Sequence, residues 1–130
     1  MLAPLSLFTR LRESFQTQPG GWWKSFTVLS SEHEFVVEDH RNNDQVHAIR
    51  VAWASVAAVC FIDGGQGSDC FYLFAADRTE LAVVPVEASG GLAFWDALKA
   101  RNLFPEQVSS QAVTSATQGT QLWWPPQHGR

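Results

Sequence analysis

Apolar positions concentrate in short runs separated by turn residues, and these runs predict strands. Residues rich in Val, Phe and Ile alternate with turns that contain Gly, Asn and Asp. The predicted strands cover residues 25–30, 34–39, 47–53, 56–62, 70–76 and 80–87. An amphipathic segment over 92–101 follows them and predicts a helix. The order predicts an α+β fold: a strongly bent antiparallel sheet or a small barrel with one C-terminal packing helix.

The predicted helix begins after a pair of glycines. Ser89 or Gly90 is the expected N-cap, because small and polar residues are favoured where a helix starts. Its apolar positions recur at three- and four-residue spacing, and the expected buried stripe consists of Leu92, Trp95, Leu98 and Leu103.

Three of the predicted strands are apolar at nearly every position instead of alternating. The runs at 56–62, 70–76 and 80–86 are typical of strands that are covered on both faces. The helix can cover one face. Two covers for the other face remain open: the Trp-rich ends of the chain, Trp22-Trp23 and Trp123-Trp124, or a second subunit.

A chain of 130 residues is expected to form a single domain. Residues 25–104 form its expected core, preceded at 1–24 by a short helix over 5–16 and a Trp-rich arm. Residues 105–130 predict a polar linker of low structural content and a Trp-Trp-Pro-Pro tail. For the tail we favour a terminal strand or arm folded back on its own sheet, because burying two Trp side chains stabilises the fold. An exposed tail that docks into a partner is the alternative.

Charge and composition exclude several classes of function. The formal net charge is −4, and the basic residues are scattered instead of clustered, which disfavours nucleic acid and anionic membranes as partners. No apolar run approaches the roughly 18 residues that a membrane span needs. The N-terminal residues lack the pattern of a signal peptide, so a cytoplasmic location with reduced cysteines is expected.

One glycine-rich segment resembles a calcium-binding repeat. Residues 64–72 fit the nonapeptide G-G-x-G-x-D-x-U-x, but the match occurs once, and a β-roll needs stacked copies. A hairpin loop is therefore the favoured interpretation. A loop centred near Gly65 would place Cys60 directly opposite Cys70, within reach of a disulfide. We favour two buried thiols over a redox-sensitive bridge.

No candidate catalytic, cofactor-binding or metal-binding residues are predicted. His33, His40 and His47 recur every seven residues, but an odd spacing alternates faces in an extended chain and each lies at a turn. The serines lack a nucleophile elbow, and no phosphate-binding glycine loop precedes a helix with Lys. The six Trp and nine Phe exceed what one small core usually needs, which indicates an apolar interface.

The segment Val51-x-Trp53-x-x-Val56-x-x-Val59, followed by two strands and a helix with Trp95, resembles the bacterial pleckstrin-homology-like (PH-like) families. In those families this pattern marks one strand running into the next, and a final helix plugs the barrel. The resemblance covers residues 25–104 and implies a small PH-like barrel.

Two departures limit this resemblance. Six predicted strands precede the helix where the PH barrel has seven, so a terminal segment could supply the missing strand. Residues 30–34 are acidic where lipid-binding members carry a basic loop, so phosphoinositide binding is not implied.

These patterns predict a non-enzymatic cytoplasmic binding or protein-interaction module without a cofactor. The expected interaction surface is aromatic, with an unidentified protein or a second copy as partner; its residues are Trp22, Trp23, Trp123 and Trp124. One alternative is a small-ligand binder or minor enzyme with a pocket at the barrel mouth, lined by Trp53, Tyr72 and Trp95. The other is an accessory or immunity-type protein that masks one partner.

Overall fold

The computed structural model describes residues 21–126 except 43 and 66. The helix expected over 5–16 lies outside the described residues.

The first three strands form an antiparallel sheet in the order β1-β2-β3. Its strands are β1 (Phe26–Ser30), β2 (Glu34–Asp39) and β3 (His47–Ala52). The turn between β1 and β2 closes where the Ser31 amide donates to the Glu34 carbonyl at 2.9 Å. In the next turn, Asp39 accepts from the Arg41 amide and from its guanidinium. This ion pair holds the pKa of Asp39 below its usual value.

The remaining strands form a second antiparallel sheet in the order β6-β5-β4-β7. They are β4 (Ala58–Ile62), β5 (Cys70–Phe74), β6 (Glu80–Pro85) and β7 (Gln121–Trp124). Because successive strand residues point to opposite faces, the burial of every residue of β5 shows that both faces of this sheet are covered. The continuous apolar runs predicted this arrangement correctly.

The α+β class is confirmed, whereas the barrel is not. Six strands precede the first helix, as predicted, and the seventh comes from the C-terminal tail, where Val59 pairs with Trp124 and Cys60 with Trp123. The tail is thus a strand of its own sheet. Within the described residues no strand pairing joins the two sheets, although β6 lies against β2 and β3. The expectation of a closed barrel is therefore unsupported.

Two α-helices follow the six strands: α1 (Gly91–Ala100) and α2 (Glu106–Val113). Gly90 is the N-cap of α1, with φ of 83°, and a Cβ at this position would lie 2.0 Å from the Val28 carbonyl oxygen. Glycine is therefore required there for both its conformation and its size.

The expected stripe of α1 is partly wrong. Gly91, Phe94 and Leu98 face the core, whereas Leu92 is 68% exposed. Gly91 packs closely against the Val86 carbonyl. Because residues three and four positions apart share one face of a helix, this contact places Phe94 and Leu98 on the face of α1 that points to the core. Trp95 and Leu103 are half-buried.

The segment expected to be a polar linker contains α2, which corrects that prediction. Its buried stripe consists of Val108, Ser109 and Ala112, and the Ser109 hydroxyl donates to the Phe104 carbonyl at 2.8 Å. Small and polar residues make this stripe, so the apolar periodicity was too weak to indicate a helix.

The glycine-rich segment is the loop of the β4–β5 hairpin, as favoured from the sequence. Its register differs from the expectation: Cys60 pairs with Tyr72, and Cys70 with Ile62. Both thiols are free and buried, and burial raises the pKa of Cys70 above its usual range. The two cysteines are diagonal neighbours instead of opposed residues, which corrects the predicted placement.

Candidate functional site

The three spaced histidines do not converge. His33 lies in the β1–β2 turn and is exposed, His40 follows β2, and His47 begins β3. The His40 Nε2 lies 3.0 Å from the Glu38 carboxylate. Across residues 21–126, leaving out 43 and 66, no group of three or more His, Cys, Asp or Glu could hold a metal ion.

The acidic residues near the β4–β5 loop hold the loop together. Asp63 is buried and accepts from the Gly65 amide at 2.8 Å and from the Ser115 hydroxyl at 2.7 Å. Asp69 accepts from the Gly64 amide at 2.9 Å. Burial raises the pKa of Asp69, and the neighbouring Asp63 carboxylate raises it further. These groups connect the hairpin loop to the segment before β7.

Trp53 joins three parts of the fold. Its Nε1 donates to the Ser31 carbonyl at 2.9 Å, and its ring stacks on Phe94 of α1. The Arg101 guanidinium lies over the same ring at 4.3 Å and donates to the Glu32 carbonyl at 2.7 Å. The cluster ties the C-terminal end of α1 to the β1–β2 turn.

The residues expected to line one pocket are separated. Trp95 contacts Phe71, and its Nε1 donates to Ser109 at 2.9 Å. Tyr72 follows Phe71 in β5 and therefore points to the opposite face of the sheet. Trp53 and Trp95 lie on the helix side of that sheet, so the three side chains do not line a common cavity.

The two Trp pairs also lie apart. Trp22 is buried and contacts Phe26 of β1 edge-on at 5.4 Å. Trp123 is half-buried and packs on Phe74 of β5 at 5.4 Å. The contacts with Phe26 and Phe74 place the two pairs in different sheets of the described part of the chain. An interaction surface formed by these four side chains stays a prediction.

The open edge of the three-stranded sheet is a different kind of site. β3 pairs with β2 in a regular register, and the Trp53 amide donates to the His33 carbonyl at the end of this ladder. Hydrogen-bonded pairs alternate along an antiparallel ladder. Residues 49 and 51 therefore bond to β2, whereas the backbone groups of Ala48, Arg50 and Ala52 point away from the sheet.

The two edges of this sheet differ. On β1 the Val28 amide donates to the Ser89 carbonyl at 2.8 Å, so the segment before α1 covers that edge. For the outward groups of β3, no backbone partner exists within the described part of the chain. We call this row of groups, over His47–Ala52, the β3 edge.

The β3 edge carries exposed apolar side chains. Ile49 is 49% exposed and Val46, just before the strand, is 51% exposed, while Ile49 lies on the same face as the buried Val37. Native proteins protect such edges with charged side chains, Pro, bulges or inward charges. Of these devices β3 has one charged side chain, Arg50, which is paired with Glu34; it contains no Pro, and its register has no bulge.

This site was not predicted from the sequence. A strand with the order His-Ala-Ile-Arg-Val-Ala alternates small or polar residues with apolar ones, which is typical of a half-exposed strand. That pattern could have identified a partly open strand, but only the sheet order shows that β3 is at an edge.

Neither of the described helices, α1 or α2, is long and apolar enough to cross a membrane. No protein-family model, curated protein or solved structure matches this chain.

Proposed function

We propose that this protein is a non-enzymatic protein-interaction module that binds an extended segment along the β3 edge. The observation that carries the proposal is the row of outward backbone groups at Ala48, Arg50 and Ala52, flanked by exposed apolar side chains. An added strand would pair with these groups and remove the apolar surface from water, as in other cases of recognition by strand addition.

Four polar side chains with structural partners support a binding role over catalysis. Asp39 and Asp63 hold turns, and Arg101 and Ser109 hold helices to their neighbours. A catalytic group would instead be expected to face a cleft together with a partner that tunes its pKa.

A proline at position 48 tests the proposal. Ala48→Pro removes an outward amide without touching the β2–β3 ladder, and edge strands tolerate proline. Ala48→Thr keeps the amide and is the matched control. We expect proteins captured by the wild-type chain and by Ala48→Thr to be lost with Ala48→Pro. Capture that is unchanged by Ala48→Pro would contradict the proposal.

Hydrogen exchange on a captured complex locates the contact. We expect the amides of Ala48, Arg50 and Ala52 to exchange rapidly in the unbound monomer and slowly in the complex. The Ile49 amide, already bonded to β2, should change little and serves as the internal control.

We further propose a distant relationship to the PH-like families. The spacing around Trp53 and the six strands followed by a helix support it. The position of β7, which follows both helices and pairs with β4, is a departure from the seven strands that precede the helix in the PH barrel.

A further inference from the structure

We infer that the occupant of the β3 edge is a second copy of the same edge, in an antiparallel two-stranded pairing about a twofold axis. This inference rests on the proposed function, because it needs the edge to be the binding surface, and it adds the identity of the partner. A twofold contact requires a surface that complements itself, and the order of residues in β3 meets this requirement.

The backbone geometry restricts the registers that two copies can adopt. The outward groups belong to Ala48, Arg50 and Ala52, so hydrogen-bonded pairs across the contact must join outward residues of both copies. Four central registers satisfy this condition. They place Arg50 opposite itself, Ala48 opposite itself, Ala48 opposite Arg50, or Arg50 opposite Ala52.

Side-chain chemistry favours the third register. Two Arg50 residues opposite each other would repel, since like charges directly across a ladder are unfavourable. Pairing Ala48 with itself would place Ile49 opposite His47, and pairing Arg50 with Ala52 would place Ile49 opposite position 53, beyond the end of β3. Pairing Ala48 with Arg50 instead places Ile49 opposite Ile49 in a non-hydrogen-bonded pair, where side chains approach most closely. Each Arg50 then keeps its ion pair with Glu34 of its own chain.

The same register also covers Val46. Val46 of one copy lies opposite Ala52 of the other, so both exposed apolar side chains at the edge gain a neighbour. The three-stranded sheets of the two copies become one continuous six-stranded sheet.

The first test is the oligomeric state of the full chain, measured by light scattering at high micromolar concentration. We expect twice the mass of one chain for the wild type and for Ala48→Thr, and the mass of one chain for Ala48→Pro. Ile49→Lys, which places two ammonium groups in the close pair, should also abolish the dimer. Leu29→Lys is its control: Leu29 is 53% exposed but lies on β1.

A cross-link tests the register without a disruptive substitution. The Cα atoms of a non-hydrogen-bonded pair lie about 4.5 Å apart, within the range of a disulfide. Ile49→Cys should therefore give a covalent dimer on mild oxidation, and Leu29→Cys should not. The native Cys60 and Cys70 are buried, so they should not compete. A dimer of Ile49→Cys that fails to cross-link would overturn the register.

The remaining outcomes separate this inference from the proposed function. A wild-type chain that is monomeric would overturn the second copy as partner, whereas loss of captured proteins in Ala48→Pro would still support the edge as a binding surface. A dimer that persists in Ala48→Pro, with a native circular dichroism spectrum, would overturn the second copy as occupant of the edge. Capture that is also unchanged by Ala48→Pro would overturn the edge as a binding surface.

Discussion

The two sheets are built from similar strands but differ in how much of each is enclosed. In the four-stranded sheet, all of β5 is buried, and β7 from the C-terminal end pairs with β4. In the three-stranded sheet, the central strand β2 is buried at Phe35, Val36 and Val37, whereas the edge strand β3 is buried only at Val51. Ile49 and Phe71 are both apolar strand residues, but Ile49 in the edge strand is exposed and Phe71 in a central strand is fully buried. The burial of a strand residue therefore depends on the position of its strand in the sheet as much as on residue type.

The largest expected effect is at the centre of the enclosed sheet. Phe71 is fully buried, and its ring packs against four others, those of Phe61, Phe94, Trp95 and Phe104. We expect Phe71→Ala to lower the free energy of unfolding by about 3–5 kcal/mol, because it leaves a cavity between the sheet and α1. Chemical denaturation measures this.

Leu29→Ala is the matching truncation in the three-stranded sheet, which we call the open sheet because its β3 edge is unpaired. Because Leu29 is 53% exposed, we expect its truncation to cost less than about 0.5 kcal/mol. Equal losses of unfolding free energy for Phe71→Ala and Leu29→Ala would mean that Leu29 is as enclosed as Phe71. That result would contradict the difference in burial between the two positions.

The next effect concerns the contact that fastens α1 to the open sheet. Arg101 stacks on Trp53 and donates to the Ser31 and Glu32 carbonyls at 3.1 and 2.7 Å. We expect Arg101→Ala to cost about 1–2 kcal/mol, since charged donors are lost along with the stacking. Thermal unfolding measures it.

Arg101→Lys separates charge from geometry. Lysine keeps the positive charge but lacks the planar fork that serves two carbonyls at once. We expect it to recover only part of the loss. Full recovery would mean that the charge alone matters.

Much of the enclosed sheet could be predicted from the sequence, because a continuous apolar run such as Phe71-Tyr72-Leu73-Phe74 needs cover on both faces of its strand. The register of the β4–β5 hairpin could not be predicted in this way. Cys60 was expected opposite Cys70, but it pairs with Tyr72. The length of the loop at Gly64-Gly65 does not fix the register unless the turn geometry is known.

The candidate site was less predictable than the fold. The aromatic residues singled out as a surface, such as Trp22 and Trp123, pack against Phe26 and Phe74. β3 forms an open edge because it pairs only with β2. This pairing joins residues that are distant in the sequence, so the pattern within β3 does not reveal it. Helix α2 was missed because Ser109 and Ala112 do not form an apolar pattern, although both are buried.

A smaller effect comes from a polar group at the margin of the enclosed sheet. Glu80 begins β6; its Oε1 is buried and has no hydrogen-bond partner among the described residues. Burial raises its pKa from 4.5 to about 7. The folded state therefore holds a proton that the unfolded state has lost, and stability falls as pH rises from about 4.5 to about 7.

Glu80→Gln removes this dependence. We expect the variant to match the wild type near pH 4 and to exceed it at pH 8 by about 1 kcal/mol, a reduced value because Glu80 is partly exposed. Denaturation at both pH values measures the difference. A wild-type advantage at pH 8 would contradict the raised pKa.

The smallest expected effect is on the exposed face of the open sheet, where Arg50 of β3 donates to Glu34 of β2. The pair is exposed to solvent, so we expect a coupling of only about 0.2–0.5 kcal/mol, reduced further by salt. A double-mutant cycle with Glu34→Gln and Arg50→Ala measures it, in the Ala48→Pro background so that strand addition does not contribute. A coupling above about 1 kcal/mol would place this pair in a more enclosed setting than its exposure indicates. It would also mean that the three-stranded sheet is less accessible to solvent at this face than its exposed side chains indicate.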